Sequence, residues 1–103
     1  MVNLIIKKGV FSVVYVFLAD GFEEIEALAP VDFLRRAGVT VKTAALKEKS
    51  ATGAHNIIVN ADINADEVLL NSELEAVILP GGMPGSQNLN DDSRVQKAID
   101  FAL

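Results

Sequence analysis

Two segments of the 103-residue sequence combine residue types that can do chemistry. The first, Asp20–Glu26, places an aspartate and three glutamates around a glycine, and the second, Pro80–Gly85, contains paired glycines. Carboxyl groups can transfer protons, and closely spaced glycine amides can bind a phosphate or stabilise an oxyanion. We predict that the two segments form one wall of an active site.

Each segment also has a simpler interpretation. Glutamates in the first turn of a helix interact favourably with the helix dipole, and a Gly-Gly pair after a strand can be a tight turn without a ligand. Glu26 stands out because Pro30 cannot donate a hydrogen bond to its carbonyl, so we expect the helix to kink there. Neither a phosphate-binding Gly-Lys-Ser/Thr ending nor a G-x-G-x-x-G pattern is present at these positions.

The composition excludes several kinds of site. The sequence has no cysteine, which removes thiol nucleophiles and thiolate metal sites, and its single histidine, His55, is expected to be an isolated surface residue. We therefore predict no metal and no cofactor. The net charge of −5 disfavours nucleic acid and anionic membranes as partners. The apolar run 10–19 is shorter than the about 20 residues that a membrane span needs, and we expect a cytoplasmic protein.

The elements that must position the two segments alternate between strand and helix patterns. We expect residues 1–9 to be a leader of unclear role and residues 10–103 to be a portion of a single domain. Apolar runs rich in β-branched residues predict four strands, at Phe11–Leu18, Thr40–Leu46, Ile57–Ala61 and Ala76–Leu79. This order predicts an α/β fold with a parallel sheet, in which ligands bind beyond the carboxyl ends of the strands.

Three stretches predict helices, at Glu23–Ala37, at Asp66–Leu74 and from Ser93 as N-cap. The first has Gly38 placed as its C-cap. Its buried face is expected to carry the apolar residues Ile25, Leu28, Ala29, Phe33 and Leu34. The third helix follows a predicted parallel strand, and such a helix usually leads the chain to another strand. We therefore expect an uncovered sheet edge that calls for a partner.

The two segments, with their flanks, resemble the ThiJ/PfpI superfamily. The resemblance rests on 19–26 continued by 30–38, and on 77–85 followed by Asn88 and Leu89. It is closer to the ThiJ branch, which includes the parkinsonism-associated protein. The resemblance implies a flavodoxin-like sandwich, similar to class I glutamine amidotransferases, that commonly forms homodimers.

The resemblance also implies roles for particular residues. The family site comprises a cysteine on a strained strand-to-helix elbow, a nearby histidine in many members, a glutamate and glycine amides. Glu26 matches the glutamate that hydrogen-bonds the cysteine sulfur. Gly82 matches the glycine whose amide helps to form the oxyanion pocket, with Gly81 supporting it. The cysteine of the family lies on the strand after the third helix and has no counterpart here, so we expect this chain alone to be inactive.

The implied functions are glyoxalase-like or deglycase-like chemistry on small reactive carbonyls, or redox-sensing, chaperone and stress-response roles. Some relatives are described under thiamine biosynthesis. The alternative is a non-catalytic module completed by a homodimer partner or a complementary chain. A third interpretation is a flavodoxin-type or receiver-type domain. A receiver needs paired acidic residues after its first strand, and Asp20 alone meets only part of that requirement.

Overall fold

A five-stranded sheet forms the centre of the computed structural model, which describes residues 3–6 and 12–103. Its strands are β1 (Asn3–Ile6), β2 (Val13–Leu18), β3 (Thr40–Ala45), β6 (Ile63–Asn64) and β7 (Leu74–Leu79), in the order β1-β7-β2-β3-β6. β7, β2, β3 and β6 run parallel, whereas β1 pairs antiparallel with β7. The remaining strands, β4 (Ser50–Thr52) and β5 (Ile58–Asn60), form a separate antiparallel hairpin. The predicted parallel α/β fold is therefore confirmed.

The helices cover opposite faces of the sheet. α1 (Glu24–Arg36) buries Ala27 and Val31 on the face that carries Val14 and Val16 of β2. α3 (Ser93–Ala102) packs on the other face, where its apolar side contacts Tyr15, Phe17 and Val77, and the short α2 (Gly85–Asp91) precedes it. β2 is apolar on both faces because it is enclosed between these two layers.

The inward face of α1 differs from the prediction. Ile25 and Phe33 are 73% and 68% exposed, and the side turned inward carries Glu24, Ala27 and Val31. These three residues follow the i, i+3, i+7 spacing of one helical face. Small Ala27 lets the helix approach the sheet, and Glu24 is held by hydrogen bonds to the β4–β5 hairpin. The expected burial of Ile25 and Phe33 was wrong.

The segment between β6 and β7 also differs from the prediction. A helix was expected over Asp66–Leu74, but only a 3-10 turn forms, at Ala65–Glu67. The Asn71 side chain accepts the Glu73 N–H, and its carbonyl accepts the Leu74 N–H. This local turn competes with helix formation and leads directly into β7.

One helix end agrees with the sequence prediction and another differs from it. Gly38 follows the C-cap Ala37 with φ +83°, as a glycine after a helix is expected to do. The N-cap of α3 is Asp92 rather than Ser93, because the Asp92 carboxylate accepts the Arg94 and Val95 N–H groups. α2 was not predicted.

The edge of β7 is covered, contrary to the expectation of an open edge. Residues 3–6, part of the expected leader, pair with it as β1. The other residues of that leader, 1–2 and 7–9, lie outside the described part of the chain. Within the described residues, no helix has the length and apolar character to cross a membrane.

Candidate functional site

The two predicted segments meet at the carboxyl ends of β2 and β7. These strands are neighbours in the sheet, and the helices that follow them, α1 after β2 and α2 after β7, pack on opposite faces, which is the arrangement of a topological switch point. The Glu23 N–H donates to the Gly81 carbonyl at 2.9 Å, and the Gly85 N–H donates to the Gly21 carbonyl at 3.3 Å. Such a switch point is where ligands bind in open α/β sheets.

Glu26 connects α1 directly to the glycine loop. Its Oε1 accepts the Gly81 N–H at 3.0 Å, and the residue is half-buried. The hydrogen bond favours the ionised carboxylate, whereas partial burial favours the neutral acid. The structure therefore brings Glu26 and Gly81 together, as the prediction of one wall required.

Gly82 presents its backbone to the same place. Its φ is +97°, and a Cβ at this position would lie 2.6 Å from Glu23 N and 2.8 Å from the Gly21 carbonyl oxygen. Only glycine allows this approach of one loop to the other. Across residues 3–6 and 12–103, no acceptor contacts the Gly82 N–H, while its carbonyl accepts the Ser86 N–H. The Gly82 amide is thus available to an oxygen that enters the site.

Replacing Gly82 with alanine is expected to lower the free energy of unfolding by about 3 kcal/mol, because backbone strain and a backbone clash add together. Gly38 is a matched control, since its φ is +83° but a Cβ there meets nothing within 4 Å. Gly38→Ala should lower it by about 1 kcal/mol. Urea denaturation of both variants measures the difference, and equal losses would show that the two loops do not pack this closely.

A buried carboxylate beside the site was not anticipated from the sequence. Glu24 is 4% exposed, and its Oε2 accepts the N–H groups of His55 and Ile57 at 2.8 and 3.3 Å. The His55 Nδ1 lies 2.9 Å from Oε1. Burial alone would raise the pKa of Glu24, but the hydrogen bonds from His55 and from backbone amides outweigh it and lower the pKa to about 2. The hydrogen bond to Glu24, and then its charge, raise the pKa of His55.

His55 is therefore not the isolated residue that was predicted, although its side chain remains mostly exposed. Ligand atoms of Glu23, Glu24 and His55 lie within 4.8 Å of one another in the described part of the chain. The Glu24 oxygens and His55 Nδ1 already bind each other or the hairpin backbone. Gly53 leaves room for the Glu24 side chain, because a Cβ at this position would overlap the Glu24 carboxyl group.

Comparison with protein families decides the relationship. The sequence profile of the DJ-1/PfpI family matches residues 12–101. The chain belongs to the DJ-1/PfpI family.

Relatives in this family match the chain over part of their own length. The Parkinson disease protein 7 homolog of Danio rerio is 34% identical over 85 residues, which are 82% of this chain and 45% of that protein. A deglycase of Pyrococcus abyssi is 36% identical over 90 residues, which are 86% of this chain and 51% of the deglycase. The chain thus spans about half the length of the curated relatives it matches.

Solved DJ-1 structures share the fold. A cysteine-to-alanine mutant of a DJ-1 superfamily protein from Salmonella typhimurium has a TM-score of 0.77 and 32% identity, covering 89% of this chain and 50% of that chain. Drosophila melanogaster DJ-1beta has a TM-score of 0.68 and 28% identity, covering 84% of this chain and 47% of that chain. The flavodoxin-like arrangement expected from the resemblance is confirmed.

Proposed function

We propose that this DJ-1/PfpI chain supplies the carboxyl and amide half of a site that acts on small reactive carbonyls, in glyoxalase-like or deglycase-like chemistry. The Glu26–Gly81 hydrogen bond carries the proposal, because it joins the two loops at a strand-end position suited to ligand binding. The deglycase names of the relatives from Pyrococcus abyssi and Thermococcus kodakarensis support the carbonyl class. The proposal includes the cytoplasmic, stress-response setting expected from the sequence.

The proposed roles follow from the chemistry of each group. A thiolate, provided by a segment outside these 103 residues, forms a C–S bond to the carbonyl carbon, and the π electrons move to the oxygen. The Gly82 N–H donates to that oxygen as its charge develops. Glu26 exchanges a proton with the reacting groups, while Gly81 orients its carboxyl group.

The proposal includes inactivity of this chain by itself. The sequence contains no cysteine, so the nucleophile of the proposed reaction is missing from it. A glutamate cannot act on an absent thiol, and an amide cannot stabilise an intermediate that does not form.

Reconstitution tests the proposed function. The chain is mixed with the part of the Pyrococcus abyssi deglycase that it does not match, and methylglyoxal consumption is followed for the mixture and for each component. We expect consumption only in the mixture. A soluble complex that consumes no methylglyoxal, or consumption by the chain alone, would contradict the proposal.

A second function, a non-catalytic module that pairs with a second copy, is favoured by an apolar surface. Four exposed side chains make up this surface, namely Ile25, Phe33, Ile57 and Ile58. The helix and the hairpin that carry these side chains are joined by a hydrogen bond, from the Ile57 N–H to Glu24, the neighbour of Ile25. Exposed apolar patches of this kind mark interaction surfaces, and we propose that a second copy of the chain covers it.

Replacing Ile25 with aspartate is expected to convert a dimer into a monomer, because a charge would have to be buried at the interface. Leu69 provides a matched control, since it is 56% exposed but lies outside the patch. Leu69→Asp should leave the dimer intact. Light scattering after size-exclusion chromatography measures both variants, and a well-folded monomer of the unaltered chain would rule out this interface.

A further inference from the structure

The strand at the outer edge of β7 runs in the direction opposite to the other strands of the sheet. β7 pairs parallel with β2 on one side, whereas on the other side β1 pairs antiparallel with it. The register places Asn3 opposite Leu79 and Ile6 opposite Ala76. β1 thus reaches the same end of β7 from which the Pro80–Gly85 loop leaves.

The chain direction favours a different strand at this edge. From β2 to β3 the chain steps toward β6 with α1 on the Val14 face, whereas α2 and α3 follow β7 on the Tyr15 face. Crossovers between parallel strands are almost always right-handed. α3 covers the face opposite to α1. A right-handed crossover through α3 therefore steps away from β3 and reaches the outer edge of β7. A strand that continued from α3 would therefore lie parallel to β7, where β1 lies.

The layers around this position define what kind of strand fits. α3 packs against both β7 and β1. A parallel strand covered by helices is apolar along its length, so the edge fits an extended apolar segment. Its carboxyl end would lie next to the Gly81–Gly82 loop, as the carboxyl ends of parallel neighbours do.

We propose that β1 is a displaceable cover of a strand-acceptor edge, and that the partner is an apolar polypeptide segment that adds parallel to β7. In this arrangement β1 blocks the edge until the partner strand replaces it, and it also protects the edge from unspecific pairing. The proposal rests on the proposed function in one respect, namely that the added segment would carry the missing nucleophile. The displacement of β1 is inferred from the sheet topology.

Competition between β1 and the added strand can be measured. Alternate amides of a strand face its neighbour, so prolines at both Leu4 and Ile5 remove at least one amide donor that faces β7. The double variant Leu4→Val and Ile5→Val is the matched control, since it keeps both amides. The probe is the part of the Pyrococcus abyssi deglycase that this chain does not match. Its affinity is measured by calorimetry, and hydrogen exchange is followed at residues 3–6 and 74–79.

We expect the proline variant to bind the probe about tenfold more tightly than the unaltered chain and the valine control, because the competing strand is removed. In the unaltered chain, binding should expose the β1 amides to exchange while those of β7 stay protected. Equal affinity, binding with β1 still protected, or no binding to any of the three chains would overturn the proposal. Displacement without methylglyoxal consumption would support it and contradict the proposed function instead.

Discussion

Glu26→Gln is expected to reduce methylglyoxal consumption by the reconstituted complex by about a hundredfold or more, the range in which proton transfer by a positioned side chain contributes. Glutamine has nearly the same shape, and its side-chain oxygen can still accept the Gly81 N–H. The variant therefore keeps the connection between the loops and removes the group that exchanges a proton. The loss should fall mainly on kcat, with the fold unchanged by circular dichroism.

Glu23 provides the control for this experiment. It lies one helical turn earlier, and its carboxylate accepts the Ile25 N–H at 3.0 Å, so its role is to cap the helix. Glu23→Gln should leave consumption within about twofold of the unaltered complex, since a cap contributes to stability rather than to chemistry. Equal losses for the two variants would show that the glutamates act only as a charged first turn.

Glu24→Ala is expected to give the largest loss of stability among the carboxylate variants. The Glu24 side chain satisfies two backbone N–H groups of the β4–β5 hairpin and contacts the His55 ring. Without it, these donors lose their acceptor, and the hairpin loses its hydrogen bonds to the Glu24 side chain of α1. We expect the Tm to fall by on the order of 10 °C. Asp32→Ala, which removes an exposed ion pair with Arg36, should change the Tm by about 2 °C or less.

The pH dependence of stability provides a second test of Glu24. Its pKa is lowered from 4.5 to about 2 in the folded chain, so its contribution is fully present above about pH 4.5 and is lost as the pH falls toward 2. His55 has a raised pKa, so its contribution is present below about 6.5 and is lost as the pH rises through the folded value. We expect the free energies of unfolding of Glu24→Gln and of the unaltered chain to differ at neutral pH and to converge as the pH falls toward 2. Parallel curves for the two chains from pH 7 to pH 2 would contradict this account.

The position of the candidate site could be predicted because its parts are local in sequence. Asp20–Glu26 and Pro80–Gly85 each follow an apolar, β-branched run, and such runs become parallel strands with their carboxyl ends at one edge. β2 and β7 lie side by side, which places Glu26 against Gly81.

The orientation of α1 could not be predicted in the same way. Periodicity at Ile25, Ala29 and Phe33 competes with the smaller face formed by Ala27 and Val31. The observed orientation brings Glu24 against His55, and these two residues are 31 positions apart in the chain. Long-range contacts of this kind are not encoded in local spacing.

The strand predicted at Ile57–Ala61 forms as β5, but its antiparallel pairing with β4 and the β1 edge were missed for a related reason. Ser50–Thr52 is short and polar, and it becomes a strand only by pairing with Ile58–Asn60. Asn3–Ile6 becomes a strand by pairing with residues seventy or more positions away in the chain. In both cases the pairing partner, rather than the local sequence, determines the structure.

The hydrogen bond between Glu26 and Gly81 is the most direct test of the account, and it can be measured in the chain itself. The Gly81 amide resonance is followed by NMR across the titration of the Glu26 carboxyl group, with the Gly38 amide, which donates to the Arg35 carbonyl, as reference. We predict that the Gly81 amide proton shifts with the Glu26 titration and that the shift disappears in Glu26→Gln. A Gly81 amide that does not respond, or that responds equally in the variant, would contradict the joining of the two loops into one site.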